Sequence, residues 1–203
     1  VDERLKCLAD KDYFENKYGV KDKGILLFAM GDGNHSLATA KACYENLKKE
    51  IGEKALSSKS RYALVELVNL HSDALEFEAI NRVIFNTDKD KLLNSLKEYY
   101  TINKEGNGQE FRVVTDSIDE AWYIENPKSN IAVGSIQMFL DDYLKDNVGK
   151  IDYIHGEDVT KSLASKDNNV GFIFDAMAKE DLFKTVILDG ALPRKTFSMG
   201  HAN

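Results

Sequence analysis

Ile25-Leu26-Leu27-Phe28-Ala29-Met30 is a continuous apolar run, and Gly31-Asp32-Gly33-Asn34-His35-Ser36 follows it directly. Gly24 and Gly31 bound the run. An apolar stretch of this length between glycines predicts a central strand buried on both faces. Past the turn, Leu37, Ala40, Tyr44, Leu47 and Ile51 keep the three-and-four spacing of one helical face. That spacing predicts a helix over Ser36–Glu50, ended by Gly52.

The turn carries the chemistry. Gly31 and Gly33 allow a sharp bend and a close approach to a ligand. With Ser36 as cap, the first amides of the helix and the positive end of its dipole face the turn, which suits phosphate or carboxylate. Asp32 would be misplaced beside an anion unless it binds Mg²⁺ carried by a nucleotide, or serves as a base. The plainer reading is that Asp-Gly and Asn are ordinary turn residues and that His35 hydrogen-bonds the turn. The pattern is neither the phosphate loop nor the dinucleotide fingerprint.

Outward from the turn, the spacing predicts a helix over 3–18, apolar strands over 62–70 and 75–85, and a helix over 88–100. In the second of these strands Glu76 and Glu78 alternate with Leu75 and Phe77, so one face is wet. A strand pair over 111–115 and 121–125 follows, then a helix over 131–146 burying Ile136, Phe139, Leu140, Tyr143 and Leu144. Strands over 151–154 and 170–174, a helix over 178–188 and a last strand over 196–199 complete the chain. The fold class is mixed α/β (α+β), a mixed sheet with flanking helices, and not doubly wound. The whole chain reads as one region, with a sub-boundary near 101–110.

A chain of 203 residues suits one large domain or two small ones. Its net charge of -7 argues against non-specific binding to nucleic acid or anionic lipid. No stretch approaches the roughly 18 apolar residues of a membrane span. Cys7 and Cys43 make neither a metal knuckle nor a disulfide framework, so free thiols in a reducing cytoplasm are expected. Val1 opens the sequence with no signal-peptide pattern behind it, and a fragment of a longer protein is expected.

Three more residues belong to the candidate site. Glu66 lies within an apolar stretch, where a buried carboxylate must be functional or paired with Arg82 or Arg61. Arg82 is the expected side-chain cation for an anion, with a snorkelling or edge-strand arginine as its alternative. Lys195, beside Arg194, is a further candidate anion ligand, though solvated charges are the default.

The run from Phe28 to Ala40 resembles the hallmark of the family known as domain of unknown function 1015, whose usual form is Asp-Gly-His-His-Arg. Residues 61–69 resemble its next strand, 75–83 its Pro-x-His-Arg-Val segment, and 191–197 its closing Met-Pro-x-Lys-Ser-Thr-Phe. The resemblance implies the C-terminal half of a protein about twice as long, with the missing N-terminal half as a partner. The turn is also similar to the Gly-x-x-Arg phosphate-binding turn of the ParB/sulfiredoxin-like fold. Members of that group bind nucleotides; some are CTP switches on DNA, some reduce oxidised cysteine and some phosphorylate free serine. That likeness implies ATP or ADP with Mg²⁺ as ligand, and a kinase-like phosphotransferase acting on a small molecule. In that reading Asp32, His35 and Glu66 are catalytic, and Gly31, Gly33, Asn34, His35, Ser36, Arg82 and Lys195 hold the anion. The alternative is a nucleotide-responsive or partner-binding half without turnover. Ser36 stands where the family usually has Arg, and Asn81 where it usually has His. Losing Arg removes a two-pronged phosphate clamp.

Overall fold

The elements run α1 (Asp2–Leu8), α2 (Lys11–Tyr18), α3 (Asn34–Ile51), β1 (Phe77–Phe85), α4 (Lys89–Tyr99), β2 (Ile102–Asn103) and β3 (Gln109–Val114). They continue through β4 (Asp119–Ile124), α5 (Ala132–Asp146), β5 (Lys150–His155), α6 (Glu157–Ala164), β6 (Val170–Ile173), α7 (Lys179–Asp189) and β7 (Phe197–Met199). They come from a computed structural model that describes residues 2–31 and 33–199.

One sheet holds the seven strands in the order β2-β4-β3-β6-β1-β5, with β7 on the first residues of β1. Every described pair is antiparallel, so the mixed α/β class stands while the sheet is not mixed in strand direction. β1 is an interior strand that pairs with three others. β5 pairs with it from Ile80 to Phe85, β6 from Arg82 to Ile84, and β7 from Phe77 to Ala79. Its five residues from Ile80 to Ile84 are all buried, as a strand covered on both faces requires.

The period-2 side chains of the strands divide between two layers. On one face, Ile84, Phe111, Trp122 and Phe172 meet Leu92 and Leu96 of α4 and Ile136, Phe139 and Leu140 of α5. Val114 and Ile173 pack with Ala164 of α6 in a second, smaller cluster. Gly171 makes that approach close: a Cβ there would lie 2.7 Å from the Ala164 Cβ. Asp88 starts α4 by accepting from the Lys91 N–H at 3.0 Å. The helix expected over 3–18 is two helices, because Asp10 is extended and caps α2 through the Tyr13 N–H at 2.8 Å.

Two strand expectations are overturned. Residues 25–30 and 62–69 form no strand, and Ile25, Phe28, Met30, Tyr62, Leu64, Val65, Leu67 and Val68 are exposed. β5 takes one flank of β1 over 80–85, β6 the other over 82–84 and β7 the opening residues, so neither run pairs beside that strand. An apolar segment becomes a strand only where a neighbour takes up its backbone groups. The helix after the turn is present, but α3 buries no residue. Its main contacts are with the 3-10 turns at Gly52–Ser57 and Lys59–Arg61.

Candidate functional site

Gly33 heads α3 in the left-handed region, at φ 74 and ψ 18, a conformation that costs other residues strain. Among the described residues no side chain caps the helix, and its first turn carries no acidic residue. Leu37 makes the first ladder bond, donating to the Gly33 carbonyl at 2.9 Å. The amides of Asn34, His35 and Ser36 have no acceptor among the described residues, and all three residues are exposed. The Asn34 side chain turns back to the Met30 carbonyl at 3.4 Å, and Thr39 bonds the His35 carbonyl at 2.9 Å. Ser36, expected as the cap, lies inside the helix instead.

β7 reaches this turn. A Cβ on Gly31 would lie 2.6 Å from Cε of Met199, so the thioether fills the place of a Gly31 side chain. Met199 pairs with Phe77 across the sheet, and Phe197 stacks on Phe77 with ring centroids 4.2 Å apart. Sequence reasoning read 196–199 only as a last strand; nothing in its composition pointed at the turn.

Arg82 and Lys195 sit elsewhere. Arg82 lies five residues along β1 from Phe77, roughly 16 Å at the usual strand rise. Its guanidinium is fully buried and committed: Nε donates to Gln137 Oε1 at 3.2 Å, and the two amino nitrogens donate to the carbonyls of Ile80 and Arg194. Burial pushes it down to about 10, opposed by Tyr153 and Asp141. It is neither snorkelling nor an edge arginine. Lys195 is exposed, has a left-handed φ of 55, and belongs to the return that leads into β7.

Glu66 is exposed in the 62–69 segment, not buried, and forms no ion pair with Arg82 or Arg61. Arg61 instead donates to the Leu56 carbonyl at 3.3 Å. Asp32, the proposed base and Mg²⁺ ligand, lies outside the described residues. The turn thus holds Gly31, Gly33, Asn34, His35 and Ser36, whereas the Arg82 guanidinium is committed in the core and Glu66 is exposed on the 62–69 segment.

Asn81 belongs to the scaffold around the site. It is buried on β1 and ties that strand to α6 through the Gly156 carbonyl and Thr160. Among the described residues no three His, Cys, Asp or Glu side chains gather to hold a metal. No described helix is long and apolar enough to cross a membrane. Cys7 and Cys43 are both free and exposed. A cavity of about 430 Å³ lies at the start of α4 around Asn86–Asp90 and Asn168. A smaller one of about 120 Å³ lies between α2 and α7 and is lined by Lys17, His71 and Lys179 among others. Neither touches the turn.

A family model described as "Protein of unknown function (DUF1015)" matches residues 11–143, more than half of the chain. No curated relative and no solved structure matches it. The match runs from α2 into α5 and takes in the turn, β1 and the buried Arg82, and the chain belongs to the DUF1015 family.

Proposed function

We propose that this protein binds a phosphate-bearing small molecule at the N-terminus of α3. The observation that supports this reading is that the amides of Asn34, His35 and Ser36, at the head of α3, have no acceptor and no side-chain cap among the described residues. Such amides, backed by the helix dipole, donate to a phosphate oxygen without a side-chain clamp. The dipole adds about 0.3–1 kcal/mol at an exposed site. Affinity is therefore weak, since Ser36 gives no cation and Arg82 is committed elsewhere. ATP or ADP with Mg²⁺ is the ligand class, with Asp32 as the carboxylate toward the metal. Phosphoryl transfer would need Asp32, His35 and Glu66 to converge, and Glu66 is exposed on a separate segment. Binding without turnover is the better-supported reading.

Titration calorimetry with ATP, ADP and inorganic phosphate tests it. Ser36→Arg should tighten binding through a charge-assisted contact of about 1.5–3 kcal/mol. Gly33→Val should weaken it, because a β-branched residue at this positive φ is strained although the space around Gly33 is open. If the parent binds none of the three and Ser36→Arg changes nothing, the turn is only a turn.

A second reading concerns a partner. The exposed apolar segments 25–30 and 62–69 fit pairing with strands of a further chain segment, the N-terminal half that the family resemblance implies. Leu64 is fully exposed and Tyr62 is 73% exposed, which is costly for apolar surface with no covering element. In the longer protein, amide exchange across 62–69 should slow by at least tenfold relative to this chain. Equal exchange in both would dismiss the partner half. The two free thiols fit a reducing, cytoplasmic setting.

A further inference from the structure

Arg82 is the only charged side chain buried among the described residues, and it has no carboxylate within ion-pair distance. A guanidinium in that position needs its charge spread over oriented dipoles. Gln137 Oε1 of α5 accepts from Nε, and the same amide donates onward to Asp141 Oδ1 at 2.8 Å, relaying part of the charge outward. The rings of Tyr153 and Phe174 lie 5.1 and 5.6 Å from the guanidinium carbon. The Ile80 carbonyl takes one amino group.

The remaining bond leaves this core. One amino nitrogen donates to the Arg194 carbonyl at 2.9 Å, 112 residues away in sequence. From Arg194 the chain passes Lys195 in its left-handed conformation and the buried Thr196, whose hydroxyl donates to the Pro193 carbonyl at 2.8 Å. It then enters β7, which pairs with Phe77–Ala79 and ends with Met199 against Gly31. One continuous line of contacts thus joins a buried guanidinium to the anion-binding turn.

We propose that Arg82 is a positioning residue for that turn: by fixing the Arg194 carbonyl it holds β7 in register, and β7 seats Met199 where Gly31 would carry a side chain. The proposal rests on the anion-binding reading of α3 and adds what sets its geometry. Arginine suits the role because its planar fork serves an amide and two carbonyls at once, which a lysine ammonium does not. The residue expected from sequence to touch the anion acts on it through the strand instead.

Amide hydrogen exchange and ATP titration on Arg82→Lys and Met199→Ala test it. In Arg82→Lys, exchange over 197–199 and at Leu37, the first bonded amide of α3, should quicken at least tenfold. The β3–β4 hairpin should keep parental exchange, and ATP or phosphate affinity should fall at least threefold. Met199→Ala leaves the core untouched and should reproduce the changes at Leu37 and in affinity. Loosened β7 with parental exchange at Leu37 in either variant overturns the proposal, as does equal loosening of the hairpin. If Arg82→Lys does not fold, Met199→Ala decides. If the parent binds neither ATP nor phosphate, the anion reading falls, and the exchange coupling between β7 and Leu37 still decides this proposal.

Discussion

The Asn81 amide donates to the Gly156 carbonyl at 3.3 Å and Thr160 Oγ1 at 3.1 Å, and its oxygen accepts from the Phe174 N–H at 3.2 Å. One side chain therefore joins β1 to the head of α6 and to the end of β6. Asn81→Leu strands the Phe174 N–H in the interior and should cost about 3 kcal/mol, read as a lower urea midpoint. Tyr100 is a second buried group with a measurable consequence. Burial pushes its phenol up to about 12, with a bond donated to the Ser135 carbonyl at 2.9 Å. The fold favours the neutral phenol, so its contribution is complete below about pH 10 and is lost as pH rises from 10 to 12. Arg82 acts oppositely over the same range, because burial lowers its guanidinium to about 10 and the unfolded chain holds the extra proton there. Tyr100→Phe should therefore lose less stability between pH 9 and pH 11 than the parent, seen in thermal melts across that range. None of these three roles was legible from spacing, since each depends on partners 35 to 112 residues away.

Elements with local signals were readable. The apolar stripe of 88–100 appears as α4, that of 131–146 as α5, and the pair over 111–125 as the β3–β4 hairpin. β1 was visible as a strand, but its wet opening at Glu76 and Glu78 disguised its interior place, which strands on both sides reveal. The 25–30 and 62–70 runs failed for a complementary reason: apolar content marks a strand only when another strand is beside it. α6 escaped because it buries only Thr160 and Ala164, too small a stripe to register. Its fit to the sheet depends on Gly171. Gly171→Ala would put a Cβ 2.7 Å from that of Ala164, and neither methyl can rotate away. We expect a loss of about 1–3 kcal/mol in chemical denaturation, with Ala164→Gly partly restoring it in the double variant.

At the scale of the molecule, stability is uneven. The sheet with α4 and α5 holds the main core, whereas α3 and the segments on either side of it bury little. Limited proteolysis should cut first within 62–69 and last within β1, β3 and β6. First cleavage inside the β3–β4 hairpin would contradict that order. The candidate turn was legible because glycines, an amphipathic helix and a family hallmark fell together between residues 28 and 40. Its support was not, because Met199 reaches it through strand pairing and Arg82 bears on it only through the distant Arg194 carbonyl. The most direct test of the central claim is a backbone amide NMR titration of the parent chain with ATP. The amides of Asn34, His35 and Ser36 should move first and furthest, saturating together with those of Gly31 and Gly33. Shifts confined to Asn86–Asp90 at the start of α4, or no shifts at all, would contradict it.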